Sequence, residues 1–343
     1  MTNVKILAVP TNIITGFLGV GKTSAILHLI AQKPADERWA ILVNEFGEIG
    51  IDKSLVDGQL STQSGVFIRE VPGGCMCCAA SLPMQIALNQ LLAESRPHRL
   101  IIEPTGLGHP KEVMQVLTAE HYQPVLAVQK TITLVDARKL SDARYTGHDT
   151  FNQQLAIADL VVGNKQDLYG EDEHKRLVQY VTEHCKPATD LLFTEQSQLP
   201  LDMLNGAAIN YHESNPRTHD HHQHDHHGGH SHNTIAAEQA LPAGGIITAQ
   251  NSGEGFKSAG WRFAPDIVFE HQPLRSLLAK IDAERLKGVF ITETGVFGYN
   301  LTADGLNEII LDDCAESRVE IIAGNIPPQL HEKLEACIYA EAK

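Results

Sequence analysis

The sequence predicts an α/β protein in two parts: a doubly wound, mostly parallel sheet, followed by a smaller α+β domain. Three observations carry this. Short apolar runs bounded by turn residues recur at helix-length intervals up to about residue 195. A glycine-rich loop separates the first run from the first helix-length interval. A tract at 219–232 then holds eight histidines and no apolar side chain, and apolar runs resume near residue 244.

In chain order, strands are expected at 13–15, 40–43, 66–71, 100–102, 131–135 and 160–162, each short and rich in Val, Ile and Leu. Between them, 23–32, 83–94 and 171–184 carry apolar residues at helical spacing. Parallel neighbours need crossovers of helix length, so this alternation places helices on both faces of the sheet. The histidine tract cannot bury enough surface to order itself and reads as a flexible linker. The resulting division is 1–210, a linker at 211–243, and 244–343. In the last part 260–269, 289–292 and 319–322 read as strands, and 274–281 and 328–340 as helices.

Composition narrows the function classes. Of 343 residues, 43% are hydrophobic and 20% charged, enough to build a core. Lys plus Arg number 27 against 42 Asp plus Glu, a formal charge of −15, the wrong sign for nucleic acid. Eighteen histidines make the chain rich in titratable nitrogen. No membrane-length apolar run and no signal-like start are present, so a soluble, cytoplasmic protein is expected. Six cysteines are too few for a disulfide scaffold, and three crowd together at Cys75, Cys77 and Cys78.

The loop G-F-L-G-V-G-K-T at 16–23 fits the phosphate-binding pattern G-x-x-x-x-G-K-T, and it lies between a strand and a helix as that pattern requires. Gly16, Gly19, Val20, Gly21 and Ser24 would cradle phosphates with backbone N–H groups, Lys22 would reach the β and γ phosphates, and Thr23 would supply a hydroxyl to Mg²⁺. At a later strand end stands Asn164-Lys165-Gln166-Asp167. A carboxylate there accepts both N–H groups of guanine, whereas adenine would leave it unpaired, so GTP is favoured over ATP. Glu103-Pro-Thr-Gly106 is a third piece, with Glu103 near Mg²⁺ and Gly106 near the γ-phosphate. Asp136 is a rival ligand that reads better as a strand-end structural carboxylate. The position where some GTPases keep a water-orienting glutamine is Leu107, so slow intrinsic hydrolysis is expected. Glu48 and Asp52, in the stretch 44–52 after the second strand, are candidates to compensate.

Three thiolates at spacings of zero, two and three, after two glycines, suit three corners of a tetrahedral Zn²⁺, with Glu48 as a candidate fourth ligand. An open position suits a metal that must leave again. Packed cysteines or a redox pair are the alternatives. Cys185, Cys314 and Cys337 are scattered and read as structural. On the linker, His221, His222, His224, His226 and His227 form a loose metal-collecting arm or an inert solvated tract.

Together these motifs resemble the CobW-like branch of the metal-associated P-loop GTPases, relatives of the hydrogenase and urease nickel-insertion GTPases. The resemblance runs in order through 16–23, N-E-F-G-E-I-G-I-D at 44–52, G-G-C-M-C-C at 73–78, 103–106 and 164–167. It continues in the second part through Ser258-Ala-Gly-Trp261-Arg-Phe263, Arg285-Leu-Lys-Gly288-Val-Phe290 and Arg318-Val-Glu320. It implies a P-loop fold with a CobW-type C-terminal domain, GTP hydrolysis to GDP and phosphate, and Zn²⁺ at Cys75, Cys77 and Cys78. It also implies a metallochaperone role in zinc homeostasis, with a client apo-metalloprotein or a second copy of the chain as protein partners. Two other readings stay open: a zinc buffer with incidental GTP turnover, and a conventional GTPase switch whose cysteines only pack.

Overall fold

The structure, a computed structural model, describes residues 5–44, 65–71, 82–108, 110–209, 241, 245–253, 256–302, 304–311 and 313–339. Among these, seven strands form one sheet: β1 (Val9–Gly16), β2 (Trp39–Asn44), β3 (Val66–Val71), β4 (Arg99–Glu103), β5 (Leu126–Val135), β6 (Leu160–Gly163) and β7 (Asp190–Phe193). Their order is β3-β2-β4-β1-β5-β6-β7, and every pairing is parallel. Alternate residues of each strand serve two cores. Ile13, Leu42, Leu100 and Ile102 face the helices Leu82–Ser95 and Pro110–Leu117, while Ile14, Ile41, Ile101 and Ile132 face the helix Lys22–Ala31. Burial on both faces is what makes these strands read as continuous apolar runs. The central position of β1, between β4 and β5, opens its carboxyl end where the windings diverge, the place doubly wound sheets keep their ligands.

The six expected strands are present, most of them longer. β1 and β5 start several residues earlier, and β7, which sequence reading missed, is a half-buried edge strand carrying Asp190. The interval expected as a helix at 171–184 is the helix Glu173–His184.

A second sheet of six antiparallel strands follows: β8 (Ile246–Gly253), β9 (Phe256–Phe263), β10 (Arg285–Thr292), β11 (Gly295–Thr302), β12 (Gly305–Leu311) and β13 (Ser317–Ala323), ordered β12-β11-β10-β13-β9-β8. With the helices His271–Leu278 and Leu330–Glu335 it makes the smaller α+β part. Here the sequence reading needs correction. The strand expected at 260–269 ends at Phe263, because Pro265 cannot donate to the ladder, and Phe269 rejoins only as an isolated bridge. The helix expected at 328–340 spans only Leu330–Glu335, and that at 274–281 sits one turn earlier. β8, β11 and β12 were not anticipated.

For β11 and β12 that has a geometric cause. The register places Leu306, Leu301, Leu286, Ile321 and Ala259 in one cross-strand row, on the side of the aromatic core around Phe263, Phe269 and Phe290. One residue along, Asn307, Asn300, Lys287 and Glu320 form a row on the opposite face. Period-two alternation with one polar face dilutes the apolar signal that marks the parallel strands.

Of the linker expected at 211–243, all but Leu241 lies outside the described residues. Glu48, Asp52, Cys75, Cys77, Cys78, His221, His222, His224, His226 and His227 lie outside them as well.

Candidate nucleotide-binding site

The carboxyl end of β1 turns into the helix Lys22–Ala31 through a loop that only glycines fit at two points. Gly16 has φ +143, and a Cβ there would lie 2.5 Å from the Leu134 carbonyl oxygen. Gly21 has φ +103, and a Cβ would lie 2.5 Å from Ser197 Oγ and 2.6 Å from Asn164 Nδ2. Gly21 is also the helix N-cap and offers no side-chain acceptor, so the first-turn N–H groups stay available to an anion.

Lys22 is buried, and its Nζ donates to the carbonyls of Gly16 (2.9 Å) and Phe17 (3.2 Å), folded back on its own loop. Burial pushes its pKa down to about 8, Glu103 opposing that fall and Arg285 adding to it. Thr23 Oγ1 donates to Glu103 Oε1 at 3.1 Å. Burial holds the Glu103 carboxyl above its ordinary range in spite of Lys22, Thr23 and Arg285, and its Oε2 is buried without a partner. A hydroxyl beside a carboxylate with one unsatisfied oxygen, at the first turn of a phosphate-loop helix, is a donor set that fits Mg²⁺.

Asn164 ties the second motif to the first. Its Nδ2 donates to the Val20 carbonyl at 2.8 Å and to Ser197 Oγ at 2.7 Å, and its Oδ1 accepts from Ser197 N at 2.9 Å. Lys165, at φ +64, donates through Nζ to the Gly19 carbonyl at 2.9 Å. Asp167 is exposed on a short turn after β6. Gln196 and Ser197, both at positive φ after β7, line the same cleft and escaped the sequence reading, since no contiguous pattern marks them. Gly106 lets its backbone pass close to Leu18, where a Cβ would meet the loop N at 3.0 Å. Leu107 packs with Phe17 and Leu18 in the core and offers nothing to a water. Asp136 caps the turn after β5 and grips Arg138 with both oxygens, as a structural carboxylate does.

The opposite wall belongs to the second sheet. The cleft, about 270 Å³, is bounded by Lys22, Thr23 and Glu103 on one side and by Arg285, Lys287 and Asn300 on the other. Lys287 Nζ donates to Thr23 Oγ1 at 3.1 Å, and Arg285 Nη2 to Glu320 Oε2 at 3.1 Å. Asp304 pairs with both Lys165 and Arg138, and Arg144 with Glu284 at 2.8 Å, so ion pairs join the two parts. Asn300, Asp304, Glu284, Arg138 and Arg144 were not singled out in the sequence, and Arg285, Lys287 and Glu320 only as members of family-like stretches.

Among the described residues, no three His, Cys, Asp or Glu side chains come together to hold a metal ion. Cys185, Cys314 and Cys337 are free thiols, and burial pushes Cys185 to about 12 and Cys314 to about 11. They stay protonated at neutral pH, which suits the structural role expected of them.

The family model described as CobW/HypB/UreG, nucleotide-binding domain, matches residues 10–193. The protein named Zinc chaperone YeiR of Escherichia coli (strain K12) is 38% identical over 317 residues, covering 92% of this chain and 93% of that one. Zinc chaperone CobW of Pseudomonas aeruginosa is 28% identical over 243 residues, 62% of this chain and 64% of that one. Among solved structures, the Zn(II)-bound YjiA GTPase from E. coli aligns over 97% of this chain and 99% of that one, at 16% identity and a TM-score of 0.43.

Proposed function

We propose that this chain, which belongs to the CobW/HypB/UreG family, binds and hydrolyses GTP and uses the nucleotide state to set its hold on zinc at Cys75, Cys77 and Cys78. The observation that carries the nucleotide half is the clamp of Asn164 on the Val20 carbonyl. It ties the phosphate loop to the turn that carries Asp167, an exposed carboxylate able to accept from a guanine edge. Lys22 would leave the Gly16 and Phe17 carbonyls for the β and γ phosphates, and Gly106 would face the γ-phosphate. Thr23, with Glu103 beside it, would hold Mg²⁺, which would supply charge neutralisation on the phosphates. With Leu107 packed in the core, water positioning falls to the stretch holding Glu48 and Asp52, and intrinsic turnover is slow.

The zinc half is supported by the thiol cluster and by the names of the relatives, zinc chaperones. The same stretch that would sense GTP holds Glu48, the proposed fourth zinc ligand, which gives nucleotide and metal a shared element. The histidine arm collects metal loosely, a client apo-metalloprotein receives it, and the chain divides at 1–210, 211–243 and 244–343.

The test is zinc affinity by competition with a chromophoric chelator, on a variant lacking residues 219–232, with Mg²⁺ and either a non-hydrolysable GTP analogue or GDP. One tight zinc site is expected, shifting roughly tenfold or more between nucleotide states and lost on triple Cys→Ser substitution. Zinc affinity blind to nucleotide would sink the coupling. Linkage demands that zinc shift GTP affinity by the same factor, an internal check.

A further inference from the structure

Between β11 and β12 the second sheet sets a carboxylate against the turn that carries Asp167, and the reading above gives it no task. Asp304 meets Arg138 through Oδ1 at 2.6 Å and Lys165 through Oδ2, both cations belonging to the first part. Its own backbone N–H donates to Thr302 Oγ1 at 3.3 Å, which braces the connection. Thr302 in turn lies against the phosphate loop: a Cβ added to Gly19 would meet Thr302 Cγ2 and the Glu284 carbonyl oxygen at 3.6 Å each.

Two cations and two carboxylates gather here, and only one of the carboxylates can hold Lys165. Asp136 is engaged by Arg138, Nε to Oδ1 at 2.9 Å and Nη2 to Oδ2 at 2.6 Å, and the Lys165 ammonium comes no nearer to it than 3.9 Å. Among the described residues, Asp304 is therefore the carboxylate in hydrogen-bond contact with Lys165. Burial opposes the charged form of Asp304, yet the bonds from Arg138 and Lys165 hold its carboxyl below the ordinary range. Lys165 has use for the support. Its backbone sits at φ +64, a left-handed conformation that a residue with a side chain keeps only where its surroundings fix it. At the side chain that fixing comes from two acceptors, the Gly19 carbonyl at 2.9 Å and Asp304. An ammonium has three donors, so the bond to Asp304 does not draw Lys165 off the phosphate loop. Asp167 follows two residues later on the same short turn.

We propose that Asp304 is a positioning residue for the nucleotide site: by holding the Lys165 ammonium against the phosphate loop, it makes nucleotide affinity depend on the second sheet being seated on the first. This rests on the GTP reading above and adds the contact through which the second part reaches the nucleotide. The contact lies at the Asn164–Asp167 motif, which a diphosphate and a triphosphate share, so both are served alike. By linkage, a bound nucleotide tightens the seat of the second part by the same factor.

The experiment uses the full chain with Mg²⁺ and measures affinity for a fluorescent GDP and for a fluorescent non-hydrolysable GTP analogue. The variants are Asp304→Asn, Lys165→Met, the two combined, and Arg144→Ala, each checked for folding by its urea midpoint. Asp304→Asn is expected to weaken both nucleotides equally, roughly five- to tenfold. In the Lys165→Met background the same substitution should cost less than about twofold, because the side chain it acts through is gone. Arg144→Ala removes another ion pair between the two parts, that with Glu284, without touching Lys165, and should leave both affinities within about twofold. Its comparison with Asp304→Asn decides the matter even if Lys165→Met binds too weakly to read. No loss in Asp304→Asn, a loss confined to one nucleotide, a loss undiminished in the Lys165→Met background, or an equal loss in Arg144→Ala overturns the proposal. A parent chain that binds neither guanine nucleotide, or binds adenine nucleotides as well, overturns the GTP reading and the proposal with it, a result seen before any variant is compared.

Discussion

β1 and β10 meet the same cleft from opposite sides, β1 with its end and β10 with its face. At the end of a parallel strand the functional groups are consecutive residues: Gly16 through Thr23 follow β1 directly, and Asn164 through Asp167 follow β6. On the face of an antiparallel sheet they are scattered, and Lys287, Asn300, Asn307 and Glu320 come together only through register. The two walls also differ in kind. The first offers backbone N–H groups, glycine curvature and one lysine, the second offers side-chain cations held by a buried carboxylate. Two walls of one cleft can thus be built from very different amounts of contiguous sequence.

The largest expected effect tests whether the second sheet stands on its own apolar row. Phe290 is fully buried, with ring centroids 4.9 Å from Phe269 and 5.9 Å from Tyr299. Phe290→Ala should cost about 3–5 kcal/mol in urea denaturation, because the cavity adds to the lost transfer energy. A cost below about 1 kcal/mol would mean that the polar row, and the ion pairs behind it, hold that sheet in place.

A smaller effect belongs to the first wall. Asp167→Asn should lower GTP affinity roughly 100-fold while raising affinity for the xanthine nucleotide, whose carbonyl meets the new amide donor where guanine has an amine. Competition against a fluorescent GDP measures both. The variant should unfold at the parent's denaturant midpoint, because Asp167 is exposed and holds no core contact. Unchanged base preference would detach the turn from base reading and weaken the contrast between the walls.

Legibility in the sequence followed this same division. The parallel strands were visible because both faces are buried, so their apolar residues run together, as in Leu100, Ile101 and Ile102. The phosphate loop, the Asn164 turn and Glu103 were visible because each is a short contiguous pattern, and the fold brings the three within hydrogen-bonding reach. β11 and β12 were not, because alternation with Asn300 and Asn307 on one face hides a strand among loops. Arg285 and Lys287 were quoted within a family-like stretch, yet nothing in one strand shows that its polar face meets a helix some 260 residues earlier. Ser197 escaped for a related reason: its place is set by backbone at positive φ and by its bonds to Asn164, not by neighbours in sequence.

The smallest expected effect separates the walls by chemistry. Burial lowers Lys22 to about 8. Phosphate oxygens favour the charged amine, so the bound pKa lies above 8 and the complex holds more protons than the empty protein in the window between the two values. Binding therefore takes up protons there, and raising the pH weakens it, by at most tenfold per pH unit, about 1.4 kcal/mol. Below that window Lys22 is protonated in both states and affinity is flat. Calorimetry of GDP binding at pH 7, 8 and 9, in two buffers of different ionisation heat, reads both the slope and the proton count. In Lys22→Arg the guanidinium cannot titrate, so whatever affinity that variant keeps should be flat from pH 7 to 9. A slope that survives in it would assign the titration to another group, with Glu103 on the first sheet and Glu320 on the second the two carboxyls that burial has raised.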